Sequence, residues 1–225
     1  MEFTLNGAPL VAHVADLTVA GWTGRDPEAI RHHIEELAEI GVAPPSTVPL
    51  YYRTAADLLT QEGRIQVVGG GTSGEVEPFL LAKDGVLHIG LASDHTDRDL
   101  EAHSVALSKQ ACAKPVASEL WLFEEVAGHL DALELRSWIK EDAAGDWIPY
   151  QDGKVGSIRP LADLIEGSGL DAACARGDCA AMLCGTLGAI GGVRPAAAFR
   201  MELRDPVLGR SIGHSYDITV LPIVA

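Results

Sequence analysis

The sequence predicts a mainly β protein with helices on its flanks, an α+β class. Three observations carry that prediction. Short apolar runs recur between turn signals, and Asn6-Gly7 and Asp84-Gly85 sit where hairpins would reverse. The clearest amphipathic helix is one short stretch near the start, residues 27–40. The 225 residues are 47% hydrophobic and 22% charged, which suits one well-buried globular domain. No domain boundary, internal repeat or low-complexity segment is evident.

Taken in order, residues 3–5 run into Asn6-Gly7, and residues 9–14 return as the hairpin partner. Residues 18–22 suit a further strand. In the helix at 27–40, Asp26 fits the N-cap, Pro27 the first position and Gly41 the stop. Its apolar stripe is Ile30, Ile34, Leu37 and Ile40. The loop that follows contains Pro44-Pro45, and residues 55–59 suit a short helix or turn. A strand at 64–68 precedes Gly69-Gly70-Gly71, which lacks the Gly-Lys-Ser/Thr of a phosphate loop. Residues 75–82 and 86–92 read as strands around Asp84-Gly85, with Pro78 suggesting an edge position or a bulge. One helix is expected over 97–109, strands at 120–123 and 133–139, and a connection through 147–150 and the turn Asp152-Gly153. A helix over 160–170 should end at Gly167-Ser168-Gly169. A buried strand at 180–183 then opens into a glycine-rich turn at Gly185-Thr186, and residues 199–203 and 216–221 are closing strands.

The chemistry concentrates in residues 72–101. Glu75 and Glu77 are two apart in a strand, so they share a face, where their repulsion calls for a cation or protons. The hairpin returns Asp94 towards them. Three oxygen ligands with room for waters suit Mg²⁺, Mn²⁺ or Ca²⁺ better than Zn²⁺; two solvated glutamates on an exposed face are the competing reading. In the early helix, His33 falls inside the apolar stripe with Glu36 three residues on, whereas His32 and Glu35 face the solvated side. A histidine oriented by a carboxylate is a general-base arrangement; a partly buried histidine with a surface glutamate neighbour is the alternative.

A formal net charge of −15 argues against a nucleic-acid partner. Cys112, Cys174, Cys179 and Cys184 form no Cys-x-x-Cys pair and read as free thiols. The N-terminus lacks the basic and apolar regions of a signal peptide, and no run approaches the ~18 apolar residues of a membrane span. A cytoplasmic enzyme or binding protein is the expectation.

Four stretches, in order over about residues 25–190, resemble the fumarylacetoacetate hydrolase family. Glu75-Val76-Glu77 matches its Glu-x-Glu strand. Residues 93–101 match its Asn-Asp-x-Thr-x-Arg-Asp-hydrophobic-Gln motif, with Ser93 for Asn and Glu101 for Gln. His33–Leu37 resembles its His-x-x-Glu helix, followed by a Pro-x-Phe-x-Lys-like stretch with Arg53 in the Lys position. Gly177-Asp178 and Gly185–Gly191 resemble its Gly-Asp … Gly-Thr-Pro-x-Gly motif, with Leu187 for Pro. The resemblance is to a divergent branch. It implies a rolled, partly open β-barrel or sandwich core in a single domain. That domain comprises an N-terminal β segment (1–24), a helical lid-like segment (25–47) and a catalytic β core (48–225).

The resemblance also implies site roles. Glu75, Glu77 and Asp94 would hold Mg²⁺ or a similar ion. His33 and Glu36 would act as the acid–base dyad. Arg98, Arg53, Glu101 and Thr186 would line the substrate site, where Glu101 would repel a second carboxylate. Lys114 would stand near metal and substrate, with Lys109 a competing assignment. The expected activity is metal-dependent hydrolysis of a C–C bond in an acylpyruvate-like 2-oxo acid through a metal-stabilised enolate, in a homodimer. A lyase (decarboxylase or dehydratase) on a 2-oxo or sugar-derived acid, and a non-catalytic small-acid-binding member, are the alternatives.

Overall fold

Local turn and cap chemistry explains most of the element boundaries in the computed structural model, which describes residues 1–39 and 44–224. β1 (Glu2–Leu5) and β2 (Ala8–Val11) form the expected hairpin, with Asn6 and Gly7 at φ of 49° and 81°, as a type I′ turn requires. β3 (Asp16–Gly21) leads to α1 (Pro27–Glu39). Asp26 caps this helix, its Oδ1 accepting from the Glu28 N–H at 2.9 Å. The expected stop at Gly41, and Ile40 of the stripe, lie outside the described residues.

β4 (Leu50–Thr54), a 3-10 turn (Ala56–Leu58), β5 (Leu59–Thr60), β6 (Arg64–Val68) and β7 (Thr72–Ser73) follow. The central hairpin is β8 (Val76–Lys83) and β9 (Val86–Ser93), turning through Asp84 and Gly85. After β10 (Thr96–Asp97), the single helix expected over 97–109 is two: α2 (Arg98–Glu101) and α3 (Val105–Gln110). Ser104 separates them. Its backbone is extended and its hydroxyl accepts from the Leu107 N–H, so it starts a helix instead of continuing one.

β11 (Lys114–Pro115), β12 (Glu119–Leu122), α4 (Phe123–Val126) and β13 (Glu134–Lys140) come next. The connection expected around 147–153 is a strand, β14 (Ile148–Lys154), and Asp152-Gly153 lies within its ladder opposite Arg136 and Leu135. A register irregularity at Ser137/Trp138 interrupts that pairing, which obscures the alternation in sequence. α5 (Leu161–Ser168) ends at Gly169, whose φ of 77° allows a left-handed cap. A second helix, α6 (Leu170–Arg176), starts at once and was not expected. β15 (Ala180–Leu183), β16 (Ala198–Asp205) and β17 (Arg210–Leu221) complete the chain.

Two mixed sheets result, and neither closes into a barrel. One runs β2-β1-β12-β9-β8-β15-β3-β4, the other β14-β13-β16-β17-β6. β8 is buried on both faces: Val76, Leu80 and Ala82 pack into one core, Phe79 and Leu81 into a second. A strand covered on both sides reads as a continuous apolar run. Full burial of Phe79, Leu80, Leu81, Ile89 and Leu91 contributes on the order of 10 kcal/mol, an upper figure.

Pro78 is a correction. It lies mid-sheet, not at an edge or bulge. The Leu91 carbonyl opposite it accepts from the Ala117 N–H, pointing away from β8. The Pro78 nitrogen therefore faces β15, whose ladder with β8 ends at Leu183–Phe79. The missing N–H falls just beyond the last paired residue. The Pro78 carbonyl still accepts from the Cys184 N–H at 3.1 Å. The four cysteines are free thiols, and no helix among the described residues is long and apolar enough to cross a membrane.

Candidate metal centre

The open end of the β8–β9 hairpin gathers the carboxylates. Glu75 immediately precedes β8, and Glu77 points to the same face. Asp94 follows β9 directly. The backbone ties the two sides together: the Asp94 N–H donates to the Glu75 carbonyl at 3.0 Å, and the Glu75 N–H to Ser93 Oγ at 3.2 Å. One oxygen from each of Glu75, Glu77 and Asp94 lies within 4.8 Å of the others. Glu77 is 2% exposed and Asp94 0%, so the reading of two solvated glutamates on an open face does not hold.

Burial, together with Asp94 and Glu75 alongside, pushes the Glu77 carboxyl well above its ordinary range, and the Gly185 N–H at 2.7 Å only partly offsets this. Asp94 behaves oppositely: burial acts to raise it, but Lys109 and Lys114 hold it well below the usual carboxylate range. Both of the lysines considered for the site reach Asp94. Lys109 bonds Oδ2, and the Lys114 Nζ stands 2.9 Å from Oδ1. Lys114 also donates to the His95 carbonyl at 2.6 Å, so each Asp94 oxygen faces an ammonium. Three converging carboxylates, all hard oxygen donors, fit a divalent cation such as Mg²⁺, Mn²⁺ or Ca²⁺.

Arg98 starts α2, where Asp97 caps the helix by accepting from the Leu100 N–H at 2.9 Å. Its guanidinium spans Glu75 and Glu101, at 2.8 Å each, and Ser73 Oγ at 2.7 Å. Glu101, expected to repel a second substrate carboxylate, is ion-paired with Arg98 three residues away. Burial opposes the charge on Arg98, but Glu75 and Glu101 hold its pKa above the ordinary value.

Thr186 sits beside the cluster with its hydroxyl already engaged. It donates to the Val76 carbonyl at 2.7 Å and accepts from Gln151 Nε2 at 2.8 Å. Its neighbour Gly185 has φ of 95°, and a Cβ there would collide with Thr23 Oγ1 at 1.7 Å. Only glycine brings this N–H onto Glu77. Arg53 is not brought to the cluster. It is exposed on β4 and pairs with Asp16, whereas Tyr52, facing the other way, places its ring 5.8 Å from the Lys109 ammonium. His33 and Glu36 lie on the backbone of α1, and their side chains fall outside the described residues.

Sequence reasoning passed over His95, held as a neutral strut. Its ring bonds Tyr216 Oη at 3.0 Å and Thr72 Oγ1 at 2.9 Å. Burial, then Lys114 and Arg98, lower its pKa to about 3. It occupies an unspecified position of the motif, so no local signal marks it. Gln151 was missed because β14 was read as a connection.

The mixed-sheet α+β fold is shared with solved proteins of the fumarylacetoacetate hydrolase kind. The chain belongs to the family described as "Protein of unknown function (DUF2848)", which matches residues 20–216. The structure resembles fumarylpyruvate hydrolase from Pseudomonas aeruginosa, solved with Mn²⁺ and pyruvate, at TM-score 0.59 and 14% identity, covering 98% of this chain and 96% of that one. It also resembles 2-keto-3-deoxyarabinonate dehydratase, at TM-score 0.62 and 13% identity, covering 93% and 74%. A third similar structure is that of Cg1458, at TM-score 0.59 and 14% identity, covering 94% and 78%. No curated protein matches the sequence.

Proposed function

We propose that this protein is a divalent-metal-dependent enzyme acting on 2-oxo acids, with hydrolysis of a C–C bond in an acylpyruvate-like substrate as the first reading. The observation that carries it is the convergence of Glu75, Glu77 and Asp94, with Glu77 and Asp94 buried. These three residues would hold the ion. Once bound, it supplies Lewis acidity that draws charge from the oxygens of a 2-oxo acid. Lys114, anchored on the His95 carbonyl, and Arg98 offset negative charge beside that position. Thr186 holds the glycine-rich loop against β8. His33, oriented by Glu36, takes a proton from water in hydrolysis, or from carbon in a lyase reaction.

The second reading is a lyase, a decarboxylase or dehydratase, on a 2-oxo or sugar-derived acid. It is favoured by the structural likeness to the dehydratase. The proposal extends to a cytoplasmic homodimer, checked by light scattering of the purified protein. A substrate panel decides the reaction. Acylpyruvates, oxaloacetate and 2-oxo-3-deoxy sugar acids are assayed with Mg²⁺ or Mn²⁺ and with EDTA. Pyruvate plus a second acid indicates hydrolysis, CO₂ a decarboxylase, and water loss without fragmentation a dehydratase. No metal-dependent turnover, and no oxalate binding with metal present, would leave a non-catalytic acid-binding protein.

A further inference from the structure

The carboxylate cluster already has a cation of its own. Lys109 projects from α3 with its side chain 8% exposed and its ammonium on Asp94 Oδ2. Asp94 belongs to the cluster in which one oxygen each from Glu75, Glu77 and Asp94 lies within 4.8 Å of the others, and the lysine's charge acts on all three. The two lysines differ in how they are held. Lys114 is fixed by a hydrogen bond to the His95 carbonyl, at 2.6 Å, from a fully buried position. Lys109 meets Asp94 and the face of Tyr52, on a flexible four-carbon stem whose ammonium is a compact point charge.

Resting on the reading of Glu75, Glu77 and Asp94 as metal ligands, we propose that Lys109 is an internal counter-cation that competes with the divalent ion for the carboxylates. Loading the site then exchanges the lysine's contact with Asp94 Oδ2 for contact with the ion. Two consequences follow from charge alone. The lysine keeps the cluster, with Glu77 and Asp94 buried, tolerable in the metal-free protein. It also lowers metal affinity below what the cluster would have without it, because a dication and an ammonium at such separation repel in a weakly screened interior.

The test is Mn²⁺ titration by calorimetry, with thermal melts, of wild type, Lys109→Met, Lys109→Gln and Lys109→Arg at fixed pH and ionic strength. The neutral variants should bind Mn²⁺ at least about tenfold more tightly than wild type and gain more melting temperature from it. Lys109→Arg, which keeps the charge, should stay near wild type. A neutral variant that folds only with Mn²⁺ supports the same exchange. Neutral variants binding Mn²⁺ no more tightly than a wild type that does bind it would overturn the competition and leave the metal reading standing. No heat and no thermal shift in any of the proteins would overturn both. Neutral variants that fail to fold even with Mn²⁺ would show a structural lysine that the ion does not replace, and would also overturn the inference.

Discussion

At the scale of single residues, the site is a problem in buried charge. Glu77 is almost wholly enclosed, and its neighbours Asp94 and Glu75 add to the cost of its ionised form. A group whose charged form is disfavoured in the fold subtracts from stability whenever it is ionised. Glu77→Gln should therefore raise the melting temperature of the metal-free protein near neutral pH, since an amide oxygen still accepts from the Gly185 N–H. The same change should abolish the thermal shift given by Mg²⁺ or Mn²⁺, which for wild type at 100 times the dissociation constant corresponds to about 2.7 kcal/mol. Differential scanning fluorimetry with and without metal checks both. A metal-free variant less stable than wild type, or an undiminished metal shift, would remove Glu77 from the ligand set.

At the scale of elements, helix phase and turn chemistry each make a claim. On the helix at 27–40, the sequence periodicity set by Ile30 and Ile34 puts His33 in the apolar stripe, Glu36 at its edge and His32 on the solvated side. His33→Ala and Glu36→Gln are expected to lower turnover by about 10²–10⁴-fold with metal affinity nearly unchanged, and His32→Ala to have little effect. Steady-state kinetics on the substrate found by the panel decides this, and damage from His32→Ala alone would show that the phase is wrong. At the other end of the molecule, Asp205 closes the β16–β17 hairpin. Its Oδ1 accepts from the Val207 and Leu208 N–H groups at 3.0 and 3.1 Å and from His129 at 3.0 Å. Burial works against its ionisation, but the Leu208 N–H, His129 and the Val207 N–H prevail and hold its pKa below the ordinary value. The sign follows from that depression. Its stabilising contribution is present above the unfolded carboxyl's value of 3.8 and is lost as pH falls through the lower folded value. Asp205→Asn should lower stability at neutral pH and flatten the acid limb of a urea-denaturation series run from pH 6 downwards. An acid limb identical to wild type would exclude Asp205 as its cause.

At the scale of the whole molecule, the two sheets meet at the site through Gln151. From β14 it accepts the Val76 N–H at 3.0 Å and the Ser137 hydroxyl at 2.9 Å. Its amide donates to Thr186 Oγ1 at 2.8 Å and the Leu187 carbonyl at 2.7 Å. Val76 lies between Glu75 and Glu77, so one side chain in the second sheet sets the backbone that carries two of the proposed ligands. Gln151→Leu would strand several buried polar groups at about 1–3 kcal/mol each. It should lower the urea midpoint and weaken Mn²⁺ binding together. A large stability loss with unaltered metal affinity would show that the hairpin holds the ligands without help from the other sheet.

What the sequence by itself determined is whatever depends on near neighbours. The I′ hairpin at Asn6-Gly7, the Asp26 cap, the paired faces of Glu75 and Glu77 and the return of Asp94 follow from steric rules acting within about twenty residues. What only the tertiary structure decided is burial, charge pairing and strand order. A strand's place in a sheet depends on partners far along the chain: β8 lies between β9 and β15, and that location makes Pro78 tolerable and Glu77 buried. Lys109 and Lys114 differ by five positions in sequence, and nothing local says that both reach one carboxylate, each on its own oxygen. Arg53 shows the same limit in reverse. Its position matched a motif, but the alternation of β4 places it on Asp16, away from the cluster. Electrostatic pairing is set by distances across the fold and by the water excluded there, and those quantities exist only once the chain has packed.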